Sequence, residues 1–377
     1  MLLRSARRWW TQSNPQSLLK SQDDLLKNLI AAPFVKTSDQ GLNSVEFSKD
    51  GRTGGGGGSG STIVLAHGFG SGLGFFYQNV DRFLRHPSVK RVVLVDWLGM
   101  GGSERPQCHK RPIRAWSDLT NSWCDSRYST SEAVQFFIDP FHAWMESTIL
   151  NNTNSTMGSE SVILVGHSLG GYLSARYALA YPGRVQKLVL ASPVGFPEKP
   201  QTTLRGSQLP TTLRILDALW SSNITPQQLV RIMGSNRGRR NTKRVLRGRI
   251  PHLRDGTHEL ELLADYLYHI TVADPSGEFA MNSLLEPVVS PDIMGVFARE
   301  PLQREFARTD QNCRIADTVK VLFGDHDWMR PNESSARTTL ETLNKQCGVH
   351  VSVDIIPNAG HHLYIDNAPD FAKHVLD

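Results

Sequence analysis

Five short runs of branched apolar residues constrain this chain more than anything else in it: TIVLAHG, RVVLVDWLG, SVILVGHS, KLVLASP and, far downstream, KVLFGDHD. A strand buried on both faces has no polar side to present, so it reads as a continuous Val/Ile/Leu run. Helical stretches separate the runs, as crossovers between parallel strands require. The expected class is therefore α/β, an open, mostly parallel sheet with helices on both faces. In such sheets functional groups collect beyond the carboxyl ends of the strands, and each run ends in candidates.

The 377 residues suffice for one large domain with an insertion. Residues 1–50 read as a helix (SLLKSQDDLLKNLIAA) followed by an extended segment. Residues 51–194 read as the first part of the core, 195–312 as a helical cap or lid, and 313–377 as the second part. GRTGGGGGSGS (51–61), the polar excursion 105–132 and NNTNSTMGSE (151–160) read as loops. The glycine run lacks the lysine and Ser/Thr of a phosphate loop. The first twenty residues carry Arg4, Arg7, Arg8 and Lys20 and meet no acid before Asp23. Two readings stand: a short mitochondrial targeting segment, or a basic surface helix whose Trp9 and Trp10 anchor at a lipid interface. No apolar run approaches the roughly 18 residues needed to cross a bilayer, so membrane contact is expected to be peripheral.

VILVGHSLGGYLSARYAL places Ser168 between Gly166 and Gly170, after a strand and before a helix. Small residues at those positions permit a strained turn that lifts a nucleophilic serine clear of the sheet. A serine hydroxyl needs a base, and the base needs a carboxylate to fix its tautomer. Partners in the order Asp then His follow: Asp325 and Asp327 after KVLFG, and His361 with His362 in IPNAGHHLYID. A position three residues beyond Gly324 selects Asp327, with Asp325 as the alternative or else a loop-capping acid. Backbone amides near Phe69, in AHGFG, and at Leu169 are the expected oxyanion donors. His67 is expected to pack and hydrogen-bond its loop, and Asp96 to brace DWLGMGGS, which lacks the acidic partner of a dinucleotide site. Neither cofactor nor metal is expected, and Cys108, Cys124, Cys313 and Cys347 lack metal-type spacing.

Residues 231–254 carry nine Lys/Arg and no acid within a chain of net charge +5. The plain reading is a solvated basic face. The sharper one is docking of anionic lipid headgroups by Arg239, Arg240, Lys243 and Arg244, at about 1 kcal/mol per basic residue near an acidic membrane. The run lacks interleaved aromatics to stack bases, so nucleic acid is not an expected partner.

HGFGSGLGFFYQN, DWLGMGGSERP, GHSLGGYLSARYALAYP, YLYHITVADPSGE, GDHDWM and GHHLYID together resemble the lipid-acting α/β-hydrolases grouped with α/β-hydrolase domain proteins 4 and 5, and more closely the fungal cardiolipin-specific deacylases. The resemblance implies an α/β-hydrolase fold with Ser168 as nucleophile, Asp327 as acid and His361 as base. It also implies a His-four-spacer-Asp element, His361 with Asp366, linked to acyl transfer onto lysophosphatidic acid. The expected function is a serine acyl hydrolase of phospholipids, a phospholipase A-type cardiolipin deacylase peripheral to the mitochondrial inner membrane. Its rivals are a lysophospholipid acyltransferase and a non-enzymatic lipase co-activator at a lipid droplet or endoplasmic reticulum surface. The oligomeric state is left open.

Overall fold

A computed structural model describes residues 2–49, 60–106, 128–150, 161–204, 206–253, 256–291, 294–308 and 315–377. The glycine run up to residue 59, most of the polar excursion, the loop 151–160 and Cys108, Cys124 and Cys313 lie outside the described residues. Ten strands are described: β1 (Phe34–Asp39), β2 (Leu42–Ser48), β3 (Ser61–Ala66), β4 (Val89–Val95), β5 (Val162–His167), β6 (Lys187–Ala191), β7 (Leu285–Val289), β8 (Met294–Ala298), β9 (Thr318–Gly324) and β10 (His350–Ile356).

Eight of them form one sheet in the order β1-β2-β4-β3-β5-β6-β9-β10. The β2 strand runs antiparallel to both its neighbours, and every other pair is parallel. The five apolar runs form the contiguous centre, β4-β3-β5-β6-β9. Their period of two sorts side chains onto opposite faces: Val64, Val93, Leu164 and Leu188 join one core, while Ile63, Val92, Ile163 and Val189 join the other. Each such side chain contributes about 1.5–3 kcal/mol by leaving water. This is the expected α/β architecture, with helices over both faces.

Several elements differ from the sequence-based expectation. The extended segment after the first long helix folds back as the β1–β2 hairpin and pairs to the edge of the sheet. HVSVDII forms β10, an edge strand whose alternation of polar and apolar residues hid it among the continuous runs. The polar excursion ends earlier than 132, because Ser129 caps the helix Thr130–Trp144: its side chain accepts from the Glu132 amide and Glu132 reaches back.

Between β6 and β9 lie the helices Thr211–Ser221, Pro226–Arg249 and His258–Val272 and the antiparallel β7–β8 pair. The N-terminal helix Leu2–Thr11 docks on this insertion. Arg7 pairs with Asp274, the Trp10 indole donates to the Ile232 carbonyl at 3.1 Å, and the Tyr268 hydroxyl donates to the Thr11 carbonyl at 2.6 Å. Ser13 lies 2.8 Å from His269 Nδ1. Tyr268 and His269 belong to the YLYHITVADPSGE segment, so that motif fastens the start of the chain to the cap. Among the described residues no helix is long and apolar enough to cross a membrane.

Candidate active site

Strand β5 delivers Ser168 to the head of the helix Leu169–Ala180 with φ 54° and ψ −117°. A serine in that region stores about 1–3 kcal/mol of strain, which the surroundings hold in place. The Ser168 amide donates to the Ala191 carbonyl at 2.9 Å, and its carbonyl accepts from Tyr172 at 3.1 Å. The flanking glycines are sterically required: a Cβ at Gly166 would meet the Gly170 carbonyl at 2.4 Å, and one at Gly170 would meet that of His67 at 2.4 Å.

The loop after β10 brings His361 to the serine. Its Nε2 lies 3.1 Å from Ser168 Oγ, and its Nδ1 lies 3.1 Å from Asp327 Oδ1. The Asp327 side chain is fully buried, and its Oδ1 also accepts from the Met329 amide at 2.9 Å. A hydroxyl, an imidazole and a buried carboxylate in this sequence of hydrogen bonds form an arrangement suited to acyl-group chemistry.

Asp325 faces elsewhere. Its carboxylate accepts from the amides of Asn358 and Ala359, both at 2.9 Å, and lies 2.7 Å from His326 Nδ1. It thus ties the end of β9 to the loop that carries His361. Desolvation pushes its carboxyl up, but the two amides and His326 outweigh it and hold the group at about 2. A depressed carboxyl contributes stability that is complete above its unfolded value near 4 and is lost as pH falls through the folded value. Asp325→Asn is therefore expected to melt below the wild type at neutral pH. The gap should close between about pH 4 and pH 2 in a series of thermal melts; a gap that did not change with pH would contradict this role.

Two further histidines crowd the base. His167, the residue before the serine, sends its Nε2–H to the His361 carbonyl at 2.9 Å, and the two rings lie 4.8 Å apart. His362 is buried, with Nδ1 3.1 Å from the Tyr364 hydroxyl. Burial, followed by the nearby charge of His361, holds both imidazoles well below the usual range, so they stay neutral. Trp328, 55% exposed, covers His361 with ring centroids 4.9 Å apart.

The oxyanion candidates stand beside the serine. Leu169 opens its helix, so its amide has no intrahelical acceptor. A Cβ on Gly68 would lie 2.9 Å from that of Ser168, which places the backbone leading into Phe69 against the nucleophile. His67 is buried, with Nδ1 2.7 Å from the Gly68 carbonyl and Nε2 3.2 Å from Asp96. Asp96 accepts from the Leu73 and Gly102 amides, each at 2.8 Å, and from the Asn43 amide group at 2.7 Å. It fastens the loop at Leu73, its own loop at Gly102 and strand β2 behind the site.

Asp366 does not touch the His361 ring. It accepts from the Gly360 amide at 2.9 Å and pairs with His252 of the cap at 3.3 Å; burial raises its pKa. The headgroup candidates divide. Arg239 pairs with Asp265 and lies 4.3 Å over the Tyr268 ring, and Lys243 pairs with Glu261. Arg240 and Arg244 are exposed. The structure gathers none of the four at Ser168.

Sequence reasoning passed over His167, Trp328 and His252. His167 had a signal, its place inside the elbow itself. The other two approach the base only through tertiary packing.

A mostly parallel sheet presenting this serine, histidine and aspartate at its strand ends defines the α/β-hydrolase class. The family model for the α/β hydrolase fold matches residues 61–227. Over 356 residues the chain is 32% identical to the 1-acylglycerol-3-phosphate O-acyltransferase of Arabidopsis thaliana, covering 91% of this chain and 71% of that protein. It is 28% identical over 315 residues to the 1-acylglycerol-3-phosphate O-acyltransferase ABHD5 of Homo sapiens, covering 84% and 76%. The crystal structure of a membrane phospholipase A, a bacterial virulence factor, matches with TM-score 0.54 at 20% identity, covering 100% of this chain and 94% of that one; at that identity the likeness speaks for the fold alone. The chain belongs to the α/β-hydrolase family, in its domain 4/5-type branch.

Proposed function

We propose that the protein is a serine-dependent acyl hydrolase of phospholipids, removing a fatty acid from an anionic phospholipid of the cardiolipin type. One observation carries the reading: the unbroken hydrogen-bonded chain Ser168–His361–Asp327. In this mechanism Ser168 Oγ attacks the ester carbonyl carbon while His361 Nε2 takes its proton. Charge on the carbonyl oxygen meets the Phe69 and Leu169 amides. The C–O bond to the glycerol then breaks, and His361 returns the proton to the departing alkoxide. Water, deprotonated by the same imidazole, attacks the acyl-enzyme and releases the fatty acid.

A second reading has a lysophospholipid hydroxyl, and not water, receive the acyl group. The names of the Arabidopsis and human relatives favour it. Both readings share the acyl-enzyme, and the intact serine weighs against a purely non-enzymatic co-activator. Purified protein given labelled cardiolipin and, separately, lysophosphatidic acid with an acyl donor decides between them. Free fatty acid and lysocardiolipin support the first reading, new diacyl product supports the second, and neither product from either substrate overturns both.

Asp366 bears on the same choice. We assign it to positioning, because its oxygen holds the Gly360 amide next to the base. Asp366→Asn keeps an acceptor and is expected to lower turnover by less than about 5-fold. Asp366→Ala frees the loop and is expected to cost about 10–100-fold, the scale of a misplaced catalytic group. Hydrolysis and transfer should fall in parallel; an Asn variant that lost transfer while keeping hydrolysis would make Asp366 an acyl-transfer residue instead.

The proposed setting is the surface of a membrane, with the mitochondrial inner membrane as the site and a lipid droplet or endoplasmic reticulum surface as its alternative. Supporting surface contact, Trp9 is 79% and Trp10 50% exposed on the docked N-terminal helix, where amphipathic indoles suit a lipid interface.

A further inference from the structure

The acyl chemistry accounts for Ser168 and its partners but not for an arginine of the cap that reaches the loop beside them. Arg249 ends the helix Pro226–Arg249, and its Nη1 donates to the Gly70 carbonyl at 3.1 Å. Gly68 lies against Ser168, and two residues of backbone span at most about 7 Å. On the other side, His252, three residues further along the cap, pairs at 3.3 Å with Asp366, in the segment that carries His361. Arg249 therefore stands between the loop with the oxyanion amides and the loop with the base.

Its bonding differs from that of its neighbours in the same helix. Arg239 and Lys243 are tied to carboxylates. Among the described residues no carboxylate lies within ion-pair distance of Arg249, whose partner is a backbone carbonyl. Asp366, on the base's own loop, has committed its oxygens to Gly360 and His252. Arg249 is exposed as a residue while burial around its guanidinium lowers its pKa, and such a group with most of its five N–H donors uncommitted is matched to phosphate, which it grips through two parallel hydrogen bonds. In a glycerophospholipid the phosphate sits only a few bonds from the esterified hydroxyls. An ester carbonyl at Ser168 puts that phosphate within the short span between the serine and the cap.

We infer that Arg249 binds the phosphate of an acylated glycerol phosphate whose ester lies at Ser168, making it the residue that selects phospholipids over neutral glycerides. The inference rests on the reading of Ser168 as the acyl-accepting nucleophile. It moves headgroup recognition from the outer basic face of the cap to the mouth of the site.

The test uses the full chain with Ser168→Ala, so that ligands are bound and not consumed. Calorimetry compares 1-hexanoylglycerol 3-phosphate, its methyl phosphodiester and neutral 1-hexanoylglycerol. The protein is expected to prefer a phosphate-bearing ligand, monoester or diester, over the neutral one by about 10–100-fold, the range for a charge-assisted hydrogen-bond pair. Arg249→Gln keeps an N–H for the Gly70 carbonyl and should collapse that ratio toward one. Arg249→Lys keeps the charge without the fork and should retain part of it. The inference is overturned if Arg249→Gln leaves the ratio unchanged, if it weakens all three ligands equally, or if no preference for phosphate exists to begin with. Wild-type turnover is measured separately: absence of activity on every acyl ester would defeat the nucleophile reading, while the binding ratio would still decide the role of Arg249.

Discussion

Ser168→Ala is expected to lower acyl-ester turnover by on the order of 10⁶-fold, the scale seen when a nucleophile that acts as a unit with its base is deleted. The reason lies in the geometry: His361 Nε2 meets one hydroxyl, that of Ser168, at 3.1 Å, and alanine leaves the imidazole with nothing to deprotonate but water held in no particular place. The backbone should be indifferent, since alanine keeps the Cβ and with it the strain at φ 54°. Melting temperature should therefore move little while turnover collapses. Covalent labelling by a fluorophosphonate should disappear in the same variant. Labelling that persisted, or turnover within tenfold of the wild type, would remove Ser168 from the mechanism.

The second large effect is expected at Asp327. Its Oδ1 meets His361 Nδ1 at 3.1 Å, which requires the proton on Nδ1 and leaves Nε2 free to accept from the serine. Asparagine keeps the shape but offers an amide hydrogen at one of its two positions. The Met329 N–H donates to the same Oδ1 that meets His361, so an asparagine turned to put its NH2 there loses the Met329 bond and drives the imidazole to the tautomer with its proton facing Ser168. Turned the other way, its oxygen keeps the Nδ1–H but carries no charge to stabilise the imidazolium. Asp327→Asn should cost about 10⁴-fold in kcat with KM changed far less, as read from steady-state rates on a soluble ester. A comparable loss from Asp325→Asn, with Asp327→Asn spared, would transfer the acid's role to the residue that braces the loop.

How much of this was legible before folding depends on how local the signal is. The β5 run, the small residues around Ser168 and the helix that follows are neighbours in sequence, so the elbow could be read directly. The choice between Asp325 and Asp327 needed only a count from Gly324, and the structure sends the two carboxylates in the directions that count separates. His361 and His362 are adjacent, yet one meets the serine and the other is buried against Tyr364; that divergence depends on the turn between them. The edge strands β1 and β10 escaped because edge strands carry polar residues that blur the apolar run, and β2, though internal, reads LNSVEFS with polar residues among its apolar ones. The basic stretch 231–254 misled by composition. Its charges look equivalent in one dimension, whereas acidic residues of His258–Val272 bind Arg239 and Lys243 and leave Arg249 to face the site.

Adjacency in the sheet also has a meaning in time. β6 ends at Ala191 and its partner β9 begins at Thr318, so a growing chain makes the nucleophile's half of the sheet long before the strand that covers its edge. Chains emerge from their N-terminal end at roughly 5–20 residues per second. For that interval the ribosome carries an open β edge, prone to pair with other chains, next to a serine that has neither acid nor base. The arrangement couples two events: closing the sheet and switching on the chemistry both wait for the residues beyond the cap, from β9 to His361. A chain cut short in the cap would be sticky and inert, and acyl chemistry would await synthesis past His361.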